Sequence, residues 1–389
     1  MIIRRLVWEN LIERLWEKRS IIWLMGVRRL GKTMLCKSVP DSTYFDCESP
    51  RTRVLLEDPE SFLEAHTGRR IVLDEIHRLD NPSEFLKLAA DHYPTVKIIA
   101  TGSSTLGANI KFKDTLTGRK KELWLTPLLL EEMKSFGDTH LIHRMLYGGL
   151  PENFVAKKLP DEDFQEWIDS YWAKDIQEMF KVEKRYSFQK FMELLFAQSG
   201  GQFEATKFAA PCEVTRQTIN NYLAVFEATF IVYVIRPFSS YRSNEIVMAP
   251  KVYAFDTGFV CYIKGWKEIR TEDTGLLWEH IVLNELQAYL QTNTTVHYWR
   301  NKQGHEIDFV LSDRKTNGVM AIECKYAIMP YVKSGRLADI AKNIIAFRAY
   351  YPEGENYIVA SDSTISFERE YEGVILRFVS IQDLLKKCK

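Results

Sequence analysis

The stretch Ile21-Ile-Trp-Leu-Met-Gly26-Val-Arg-Arg-Leu-Gly31-Lys32-Thr33 decides the fold of this 389-residue chain, because an apolar run ends in Gly-x-x-x-x-Gly-Lys-Thr and a helical pattern follows. Gly26 and Gly31 permit backbone angles and a close approach that a side chain would block, so successive N–H groups can point at a phosphate. Lys32 supplies a charge to the β and γ phosphates, and the Thr33 hydroxyl is placed to ligate Mg²⁺ where the helix begins. The stretch predicts a strand, a phosphate-binding loop and a helix.

ATP and Mg²⁺ are the ligands that this loop predicts. The residues expected to contact the nucleotide are Gly26, Val27, Arg28, Arg29, Leu30, Gly31, Lys32, Thr33 and Met34. A chance glycine-rich turn is the alternative, and the legible strand before the loop and helix after it both disfavour that alternative.

Length and composition set modest limits on the rest of the chain. A chain of 389 residues exceeds what a single hydrophobic core serves, so roughly two to four domains are expected. Hydrophobic residues make up 46% and charged residues 27%, which is typical of a soluble globular chain. Lys+Arg and Asp+Glu both number 52, so bulk charge gives no support for nucleic-acid binding, and any such surface must be a local patch.

The cysteines and the N-terminus indicate a cytoplasmic location. The six cysteines show no Cys-x-x-Cys and no clustering with histidine, so they are predicted to be reduced and mostly buried. Charged residues in the first turns exclude a signal-peptide core, and no apolar run is long enough to span a membrane. Apolar residues at Ile3, Val7, Leu11 and Leu15 predict an amphipathic helix over residues 3–18.

Three later apolar runs predict further strands of an α/β sheet. Arg70-Ile-Val-Leu-Asp-Glu-Ile-His77 ends in two acids, of which Asp74 is expected to hold Mg²⁺ and Glu75 to polarise the attacking water. The run from Val96 to Ser104 ends in small polar residues, so Ser103 or Thr101 is a candidate for sensing the γ-phosphate or the water; an ordinary strand-to-loop junction is the alternative. With Ser42–Asp46 and Glu122–Leu125, these strands alternate with helices, which predicts a parallel sheet with the nucleotide at the carboxyl ends of its strands.

These motifs, taken in order, resemble a known family. Gly-Val-Arg-Arg-Leu-Gly-Lys-Thr, Ile-Val-Leu-Asp-Glu-Ile-His, Thr-Gly-Ser-Ser and Thr-Gly-Arg are similar to the AAA+-type P-loop ATPases of a bacterial and archaeal group with an Arg-Arg phosphate loop. The resemblance continues through Tyr147-Gly-Gly-Leu-Pro151, Pro237-Phe-Ser-Ser240 and Lys251-Val-Tyr-Ala-Phe-Asp-Thr-Gly258. That group pairs the ATPase with a C-terminal domain of unknown function, DUF4143.

The resemblance implies both a strand order and an arginine. The strand leading to Ser103 is expected between the loop strand and the Asp74 strand. Arg119 is the candidate nucleotide-sensing charge, acting in its own subunit or on a neighbouring one in a homo-oligomer. An exposed basic cluster with Lys120 and Lys121 is the alternative for Arg119.

Two helical modules follow the predicted ATPase domain of residues 1–130. Residues 131–186 are predicted to form a helical lid, with Phe164, Trp167, Tyr171 and Trp172 in its core because they recur at helical spacing. Residues 187–238 follow the plan of a winged helix-turn-helix, in which Thr215 caps the second helix of the turn. Arg216, Gln217 and Asn220 at the exposed start of that helix are candidates for contacting DNA, branched or single-stranded, and docking of another protein is the alternative.

The last predicted domain, residues 239–389, carries a second set of charged residues. An amphipathic helix over residues 275–286 bears Glu279, and a predicted hairpin brings Asp308 beside Ala321-Ile-Glu-Cys-Lys325. Strand side chains alternate, so Glu323 and Lys325 share one face. Two carboxylates beside a lysine are costly to bury, and a divalent metal resolves that cost: Asp308 and Glu323 ligate Mg²⁺, Glu279 assists, and Lys325 orients or deprotonates water.

That order of residues is similar to the PD-(D/E)XK nuclease fold, which here predicts a nuclease-like α/β domain. A retained salt-bridge cluster, or a module used only for binding, is the alternative, since fold does not settle function. The sequence therefore supports two hypotheses. The first is an ATPase that remodels branched or single-stranded DNA and carries a Mg²⁺-dependent nuclease domain; the second is a nucleotide-switched interaction protein whose nuclease-like domain is inactive.

Overall fold

The computed structural model describes residues 3–102, 116–156, 161–177, 180, 182–239, 248–290, 294–312 and 319–388. Ser103 lies outside these described residues. The chain divides into two compact units. The first unit contains Met1–Thr139, Gly149–Arg185 and Tyr222–Ile231, and the second contains His140–Gly148, Tyr186–Asn221 and Val232–Lys389.

A parallel sheet forms the centre of the first unit. Within the described residues it has five strands in the order β2-β3-β4-β1-β5. The strands are β1 (Ile21–Met25), β2 (Ser42–Asp46), β3 (Arg70–Asp74), β4 (Lys97–Thr101) and β5 (Lys120–Trp124). The expectation that the strand leading to Ser103 lies between the loop strand and the Asp74 strand is confirmed, because β4 pairs with β1 on one side and β3 on the other.

Helices cover this sheet and bury its apolar strands. The helices of the N-terminal part are α1 (Leu6–Trp16), α2 (Lys32–Ser38), α3 (Pro50–Leu55), α4 (Pro59–Ala65) and α5 (Pro82–His92). Alternate residues of β1, Ile21, Trp23 and Met25, belong to one buried cluster with side chains of α4 and α5, such as Phe62 and Phe85. All five residues of β1 are buried, as expected of a strand inside a parallel sheet.

The predicted apolar face of the first helix is wrong. Trp8, Ile12 and Trp16 are the buried apolar residues of α1, while Ile3 is 39% exposed and precedes the helix. The true stripe is offset by one residue from the predicted one, which rotates the buried face by about 100°. Trp8 and Trp16 bury more apolar area than the aliphatic side chains of the predicted face, Val7, Leu11 and Leu15, would bury.

The region predicted as a helical lid is divided between the two units. Its first helix, α6 (Leu141–Tyr147), belongs to the second unit, whereas α7 (Pro151–Val155), α8 (Asp161–Tyr171) and a π-helical turn (Trp172–Gln177) belong to the first. The prediction of core aromatics is confirmed, because Phe164, Trp167, Tyr171 and Trp172 are all buried.

A mixed sheet forms the second unit. Within the described residues it has nine strands in the order β13-β14-β12-β11-β10-β9-β7-β8-β6. The strands are β6 (Gly201–Gln202), β7 (Val232–Pro237), β8 (Lys251–Ala254), β9 (Val296–Arg300), β10 (Glu306–Ser312), β11 (Val319–Lys325), β12 (Asn356–Ala360), β13 (Ser366–Tyr371) and β14 (Val374–Ser380). The remaining helices are α9 (Arg185–Ala197), α10 (Ala205–Ala209), α11 (Arg216–Ala228), α12 (Thr257–Ile263), α13 (Thr274–Leu290), α14 (Met329–Lys333), α15 (Leu337–Arg348) and α16 (Ile381–Lys387).

The region predicted to be a winged helix-turn-helix consists of short helices and strands. The order is α9, β6, α10, α11, β7 and β8, with β8 antiparallel to both β6 and β7. The Thr215 hydroxyl accepts a hydrogen bond of 3.1 Å from the Thr218 N–H, which confirms its predicted capping of α11.

The C-terminal part surrounds one long helix. The strands β9, β10 and β11 form an antiparallel meander, and β12 lies parallel to β11 after the crossover through α15. The predicted amphipathic character of the Glu279 helix is wrong, because 12 of the 17 residues of α13 are buried. A helix enclosed on most sides has little need of a polar stripe.

Two remaining expectations concern cysteines and membrane spans. All six cysteines lie in the described ranges and are free thiols, five of them buried, which confirms the prediction. In the same ranges no helix combines the length and apolarity needed to cross a bilayer.

Candidate functional sites

The loop after β1 has the backbone that phosphate binding requires. Gly26 has φ +146°, and a Cβ placed there would lie 2.6 Å from the Leu125 carbonyl oxygen. Arg29 and Gly31 have φ of +62° and +83°, so the chain reverses tightly before α2 begins at Lys32. Glycine at position 26 is therefore a steric necessity, since neither the angle nor the space admits a side chain.

Lys32 folds back over the loop that it follows. Its ammonium group donates to the carbonyl oxygens of Gly26 at 2.8 Å and Val27 at 3.0 Å. Burial lowers the pKa of Lys32, and the nearby carboxylates of Glu75, Asp175 and Asp74 oppose that shift. The ammonium group thus lies inside the loop, where a phosphate could replace the carbonyl oxygens as its hydrogen-bond acceptor.

Asp74 is the meeting point of three hydroxyl groups. Its Oδ2 accepts from Thr33 Oγ1 at 2.8 Å and from the Tyr44 hydroxyl at 2.6 Å, and its Oδ1 accepts from Thr101 Oγ1. The carboxylate is only 4% exposed. Thr33 and Asp74 offer adjacent hard oxygen donors, which is the donor chemistry that Mg²⁺ requires, so these residues fit the predicted ion.

Glu75 is set apart from Asp74 by a backbone reversal. Its φ of +54° lies in the left-handed region, and its N–H donates to Thr101 Oγ1 at 3.0 Å. His77 Nδ1 lies 3.1 Å from Glu75 Oε2. Burial tends to raise the pKa of Glu75, but the contact with His77 and the positive charges of Lys32 and Arg28 bring that pKa below its usual value. Glu75 is therefore ionised and able to accept a hydrogen bond from water near the loop.

The two loop arginines pair with acids of the α8 segment. Arg28 Nε donates to Asp175 Oδ2 at 2.8 Å, and Arg29 pairs with Glu166. The Trp167 indole N–H also donates to the carbonyl oxygen of Arg28 at 3.1 Å. The sequence prediction placed both arginines at the nucleotide without finding these partners, which lie more than 130 residues away.

Arg119 forms an ion pair on the first unit. Its Nε and Nη2 donate to the two carboxylate oxygens of Asp91 at 2.7 and 3.0 Å, and both side chains are 34% exposed. Its role in sensing nucleotide remains a prediction.

The second predicted site brings its residues together. The carboxylate of Asp308 accepts a hydrogen bond from the Cys324 N–H at 2.7 Å, and Lys325 Nζ donates to Glu323 Oε2 at 3.0 Å. Glu323 Oε1 also accepts from Asn343 Nδ2 at 3.4 Å. The predicted hairpin and the shared face of Glu323 and Lys325 are confirmed, because β10 and β11 are antiparallel neighbours.

The charge of Asp308 also acts on Glu279, but the hydrogen-bond partners of Glu279 are different residues. Lys251 Nζ is 3.3 Å from Glu279 Oε1 and 2.5 Å from Glu306 Oε1, and the Tyr253 hydroxyl donates to the same oxygen of Glu279. Burial lowers the pKa of Lys251, but Glu279, Asp308 and Glu306 raise it above its usual value. Lys251 is therefore an ammonium ion in this structure.

Burial and like charge keep this cluster from full ionisation. Burial and the negative charge of Asp308 raise the pKa of Glu279 to about 7 and that of Glu323 to about 8, although neighbouring lysines oppose both shifts. Oxygen donors of this kind suit a hard cation such as Mg²⁺. In the described part of the chain, however, no three His, Cys, Asp or Glu side chains are already arranged to hold a metal ion.

The candidate DNA-contacting residues lie at the start of α11. Arg216 and Gln217 are exposed, and Asn220 is half-buried. Gln217 Nε2 donates to Asn221 Oδ1 at 3.1 Å along the helix.

Several functional neighbours were missed by the sequence prediction. They are Tyr44 and His77 at the first site and Lys251, Tyr253, Glu306 and Asn343 at the second. The signal for His77 was within the quoted motif, two residues after Glu75. The others come from separate elements, so only the folded chain brings them to the sites.

Three family models match successive parts of the chain. The first is described as an AAA domain and matches residues 18–134. The second is a domain of unknown function (DUF8612) over residues 138–270, and the third is a domain of unknown function (DUF4143) over residues 274–376. An uncharacterized protein of Methanocaldococcus jannaschii is 21% identical over 322 residues, which cover 74% of this chain and 71% of that protein.

Solved structures that resemble the chain do so distantly. A Signal Transduction ATPase with Numerous Domains protein with a tetratricopeptide repeat sensor, from Pyrococcus horikoshii, is 11% identical with a TM-score of 0.26. That match covers 72% of this chain and 46% of the other, so this chain spans less than half of that protein. Cdc6p from Pyrobaculum aerophilum is 10% identical with a TM-score of 0.28, and the match covers 67% of this chain and 93% of the other.

Proposed function

Since the chain carries an AAA domain followed by a DUF4143 domain, as the sequence resemblance predicted, we propose that its first unit binds and hydrolyses ATP and that the protein acts on DNA. The observation that carries the ATPase proposal is the convergence on one loop of Lys32, Thr33, Asp74 and Glu75. Lys32 and Thr33 begin α2 after the loop that follows β1, and Asp74 ends β3, so the site lies beyond the carboxyl ends of the strands, where a parallel sheet places its ligands.

Each residue has a separate task in this proposal. Lys32 moves its hydrogen bonds from the loop carbonyls to the β and γ phosphates, and Thr33 with Asp74 holds Mg²⁺. The ion, when bound, neutralises charge on the phosphates. Glu75 accepts a hydrogen bond from the attacking water and aligns it with the γ-phosphate.

Two substitutions test the ATPase proposal. Lys32→Ala is expected to abolish hydrolysis together with tight ATP binding, because it removes the charge on the phosphates. Glu75→Gln is expected to abolish hydrolysis while ATP still binds, because it removes only the group that polarises water. Phosphate release and fluorescent-nucleotide binding are measured on the same preparations.

Asp80→Asn provides the control, since Asp80 is an exposed acid five residues beyond Glu75. It is expected to hydrolyse ATP at the rate of the natural protein. Turnover at that rate in either Lys32→Ala or Glu75→Gln would contradict the proposal.

Metal-dependent cleavage of DNA is the finer proposal for the second unit. It is supported by two observations. Asp308 lies on β10 beside Glu323 and Lys325 on the neighbouring β11, and the residues follow the order of a helix glutamate, a strand aspartate and then Glu-x-Lys on which the resemblance to PD-(D/E)XK nucleases rests. Asp308 and Glu323 would hold Mg²⁺, which would supply a Lewis acid at the phosphodiester. Lys325 orients or deprotonates the attacking water.

Cleavage assays test this second proposal. Asp308→Ala is expected to abolish Mg²⁺-dependent nicking of branched or single-stranded DNA, because it removes one carboxylate of the site. Asp362→Ala changes an exposed acid of the same unit and is expected to nick normally. Absence of nicking by the natural protein on every one of these substrates would remove the nuclease half of the proposal.

The helix-turn-helix segment is the proposed DNA contact. Its support is the exposure of Arg216 and Gln217 at the N-terminal end of a capped helix that precedes two antiparallel strands. DNA is expected to stimulate ATP hydrolysis, and that stimulation is expected to weaken as salt rises. If Arg216 contacts a phosphate, Arg216→Ala reduces the slope of log affinity against log salt by about 1.

A specific observation favours the second hypothesis, a nucleotide-switched interaction protein with an inactive nuclease-like domain. Lys251 and Lys325 already pair with Glu279 and Glu323, so the carboxylates have partners without a metal. Thermal unfolding distinguishes the hypotheses. A metal site predicts stabilisation by Mg²⁺ that is lost in Glu323→Gln, whereas an inactive cluster predicts none in either protein.

A further inference from the structure

Lys251 is a buried cation that neither the ATPase nor the proposed nuclease chemistry employs. It begins β8 and the motif Lys251-Val-Tyr-Ala-Phe-Asp-Thr-Gly258, whose function the sequence left open. Only 5% of the residue is exposed. Lys251 lies on β8, which pairs with β6 and β7. It therefore comes from a different element than the helix and strands that carry Glu279, Asp308 and Glu323.

The ammonium group of Lys251 is held from several directions. It lies 2.5 Å from Glu306 Oε1, 3.3 Å from Glu279 Oε1 and 3.5 Å from the Tyr253 hydroxyl. The rings of Tyr298 and Tyr253 lie 5.6 and 6.0 Å from it. A lysine with two carboxylates and two aromatic rings around it has a fixed position, unlike a lysine on a solvated surface.

This arrangement divides the cluster into two ends. At one end, Glu279 and Glu306 share the Lys251 ammonium, so their charges are compensated by the protein itself. At the other end, Asp308 accepts one hydrogen bond from the described residues, the Cys324 N–H bond to Oδ2. Among the described residues the Oδ1 atom of Asp308 accepts no hydrogen bond, so it is open to bind a cation.

The charges of the two ends lead to the same division. The Lys251 end holds two acids, Glu279 and Glu306, and two cations, since Arg300 Nη1 lies 3.4 Å from Glu306 Oε2. The other end holds Asp308 and Glu323 against Lys325 alone, so the acids exceed the cations only at the end where a divalent cation is proposed to bind. A second divalent cation at the Lys251 end would meet two positive side chains beside acids that they already pair, whereas the Asp308 end has a single lysine for two acids, so the repulsion is greater at the Lys251 end.

We propose that Lys251 is a positioning residue that takes the place of a second metal ion, so the second unit binds a single divalent cation on Asp308 and Glu323 while Glu279 is held by the lysine. This inference rests on the proposed metal-dependent function of the second unit. It assigns Glu279 a role different from the metal ligand that the sequence predicted.

Calorimetric titration of the full chain with Mn²⁺ tests this inference without any activity measurement. Nucleotide is omitted and Lys32→Ala is present in every protein, so that the first unit contributes no nucleotide-bound metal. The parent is expected to bind a single equivalent, and Glu323→Gln is expected to lose it. Lys251→Met keeps most of the side-chain volume but removes the charge, and it is expected to bind a second equivalent on Glu279 and Glu306.

Lys251→Arg is the matched control, because it keeps a positive charge and is expected to bind a single equivalent. Lys251→Gln replaces the methionine variant should that variant fail to fold, since glutamine can still donate a hydrogen bond to Glu279. A single equivalent of unchanged affinity in the neutral variants, or two equivalents in the parent, would overturn the role of Lys251 alone. Absence of any Mn²⁺ binding by the parent would instead overturn the metal-dependent function on which the inference rests.

Discussion

At Gly26 the absence of a Cβ atom decides whether the loop after β1 can form. Its φ of +146° is open to glycine, and the Leu125 carbonyl oxygen occupies the space where a Cβ would go. Asp74 likewise makes several contacts with one side chain, because its two carboxylate oxygens accept hydrogen bonds from the hydroxyl groups of Thr33, Tyr44 and Thr101. The proposed ATP site thus depends on close backbone packing at Gly26 and on hydrogen bonds to Asp74 that a bound Mg²⁺ ion could replace.

Gly26→Ala is expected to destabilise the protein and weaken ATP binding. A φ of +146° costs on the order of 1–3 kcal/mol for a residue with a Cβ, and the clash with the Leu125 carbonyl oxygen forces the loop to move as well. Urea unfolding and fluorescent-nucleotide binding measure the two effects. Gly118→Ala is the matched control, because Gly118 has φ +76° with nothing within 4 Å of its Cβ position.

The control variant is expected to lose stability without losing ATP affinity. Equal ATP affinity in Gly26→Ala and Gly118→Ala would show that the close approach at Gly26 does not shape the phosphate loop.

The α8 segment acts on the nucleotide loop as a single element. Trp167, Glu166 and Asp175 lie on it or on the π-helical turn that extends it, and all three contact Arg28 or Arg29. The indole fixes the loop backbone, whereas the two carboxylates neutralise the charges that would otherwise face a phosphate. In the proposed ATP site this element supports the loop and competes with the phosphates for the two arginines.

Asp175→Asn is expected to tighten ATP binding, because Arg28 loses the carboxylate that competes with the phosphates for its guanidinium group. The gain is on the order of 1 kcal/mol, or several-fold in affinity, since the pair is partly exposed. Asp169→Asn is the matched control on the same segment, where Asp169 pairs with exposed Arg185. Fluorescent-nucleotide titration measures all three proteins.

Weaker ATP binding in Asp175→Asn than in the control would show instead that the ion pair is needed to shape the loop. In that case support of the loop, and not competition with the phosphates, is the main effect of this element.

The segments of the two units alternate along the sequence. Segments of the second unit, His140–Gly148 and Tyr186–Asn221, lie in sequence between segments of the first. The predicted boundary at residues 238 and 239 falls just after β7, which pairs with both β8 and β9. Folding of the second unit therefore depends on residues that a division into consecutive domains assigns elsewhere.

Separate expression of residues 1–238 and 239–389 is expected to give fragments without the cooperative unfolding of the intact chain. The C-terminal fragment loses β7, which leaves β8 and β9 without their shared partner and exposes apolar surface. Circular dichroism during heating measures the transition. A C-terminal fragment that unfolds cooperatively at the temperature of the intact chain would contradict this dependence.

The sequence alone predicted the features that depend on short spacings. The phosphate loop, the two acids ending β3 and the Glu-x-Lys of β11 each lie within a few residues, where backbone geometry fixes which side chains meet. The position of the strand leading to Ser103, between the loop strand and the Asp74 strand, followed from the family resemblance, and the structure confirmed it.

Only the tertiary structure decided which distant groups meet. The buried face of α1 depends on the core that receives Trp8 and Trp16, and the pairing of Arg28 with Asp175 spans 147 positions of the chain. Lys251 reaches Glu279 and Glu306 because β8 joins the same sheet as β10, which no local pattern near Lys251 reveals. Such contacts are set by how elements pack, and packing depends on the whole chain at once.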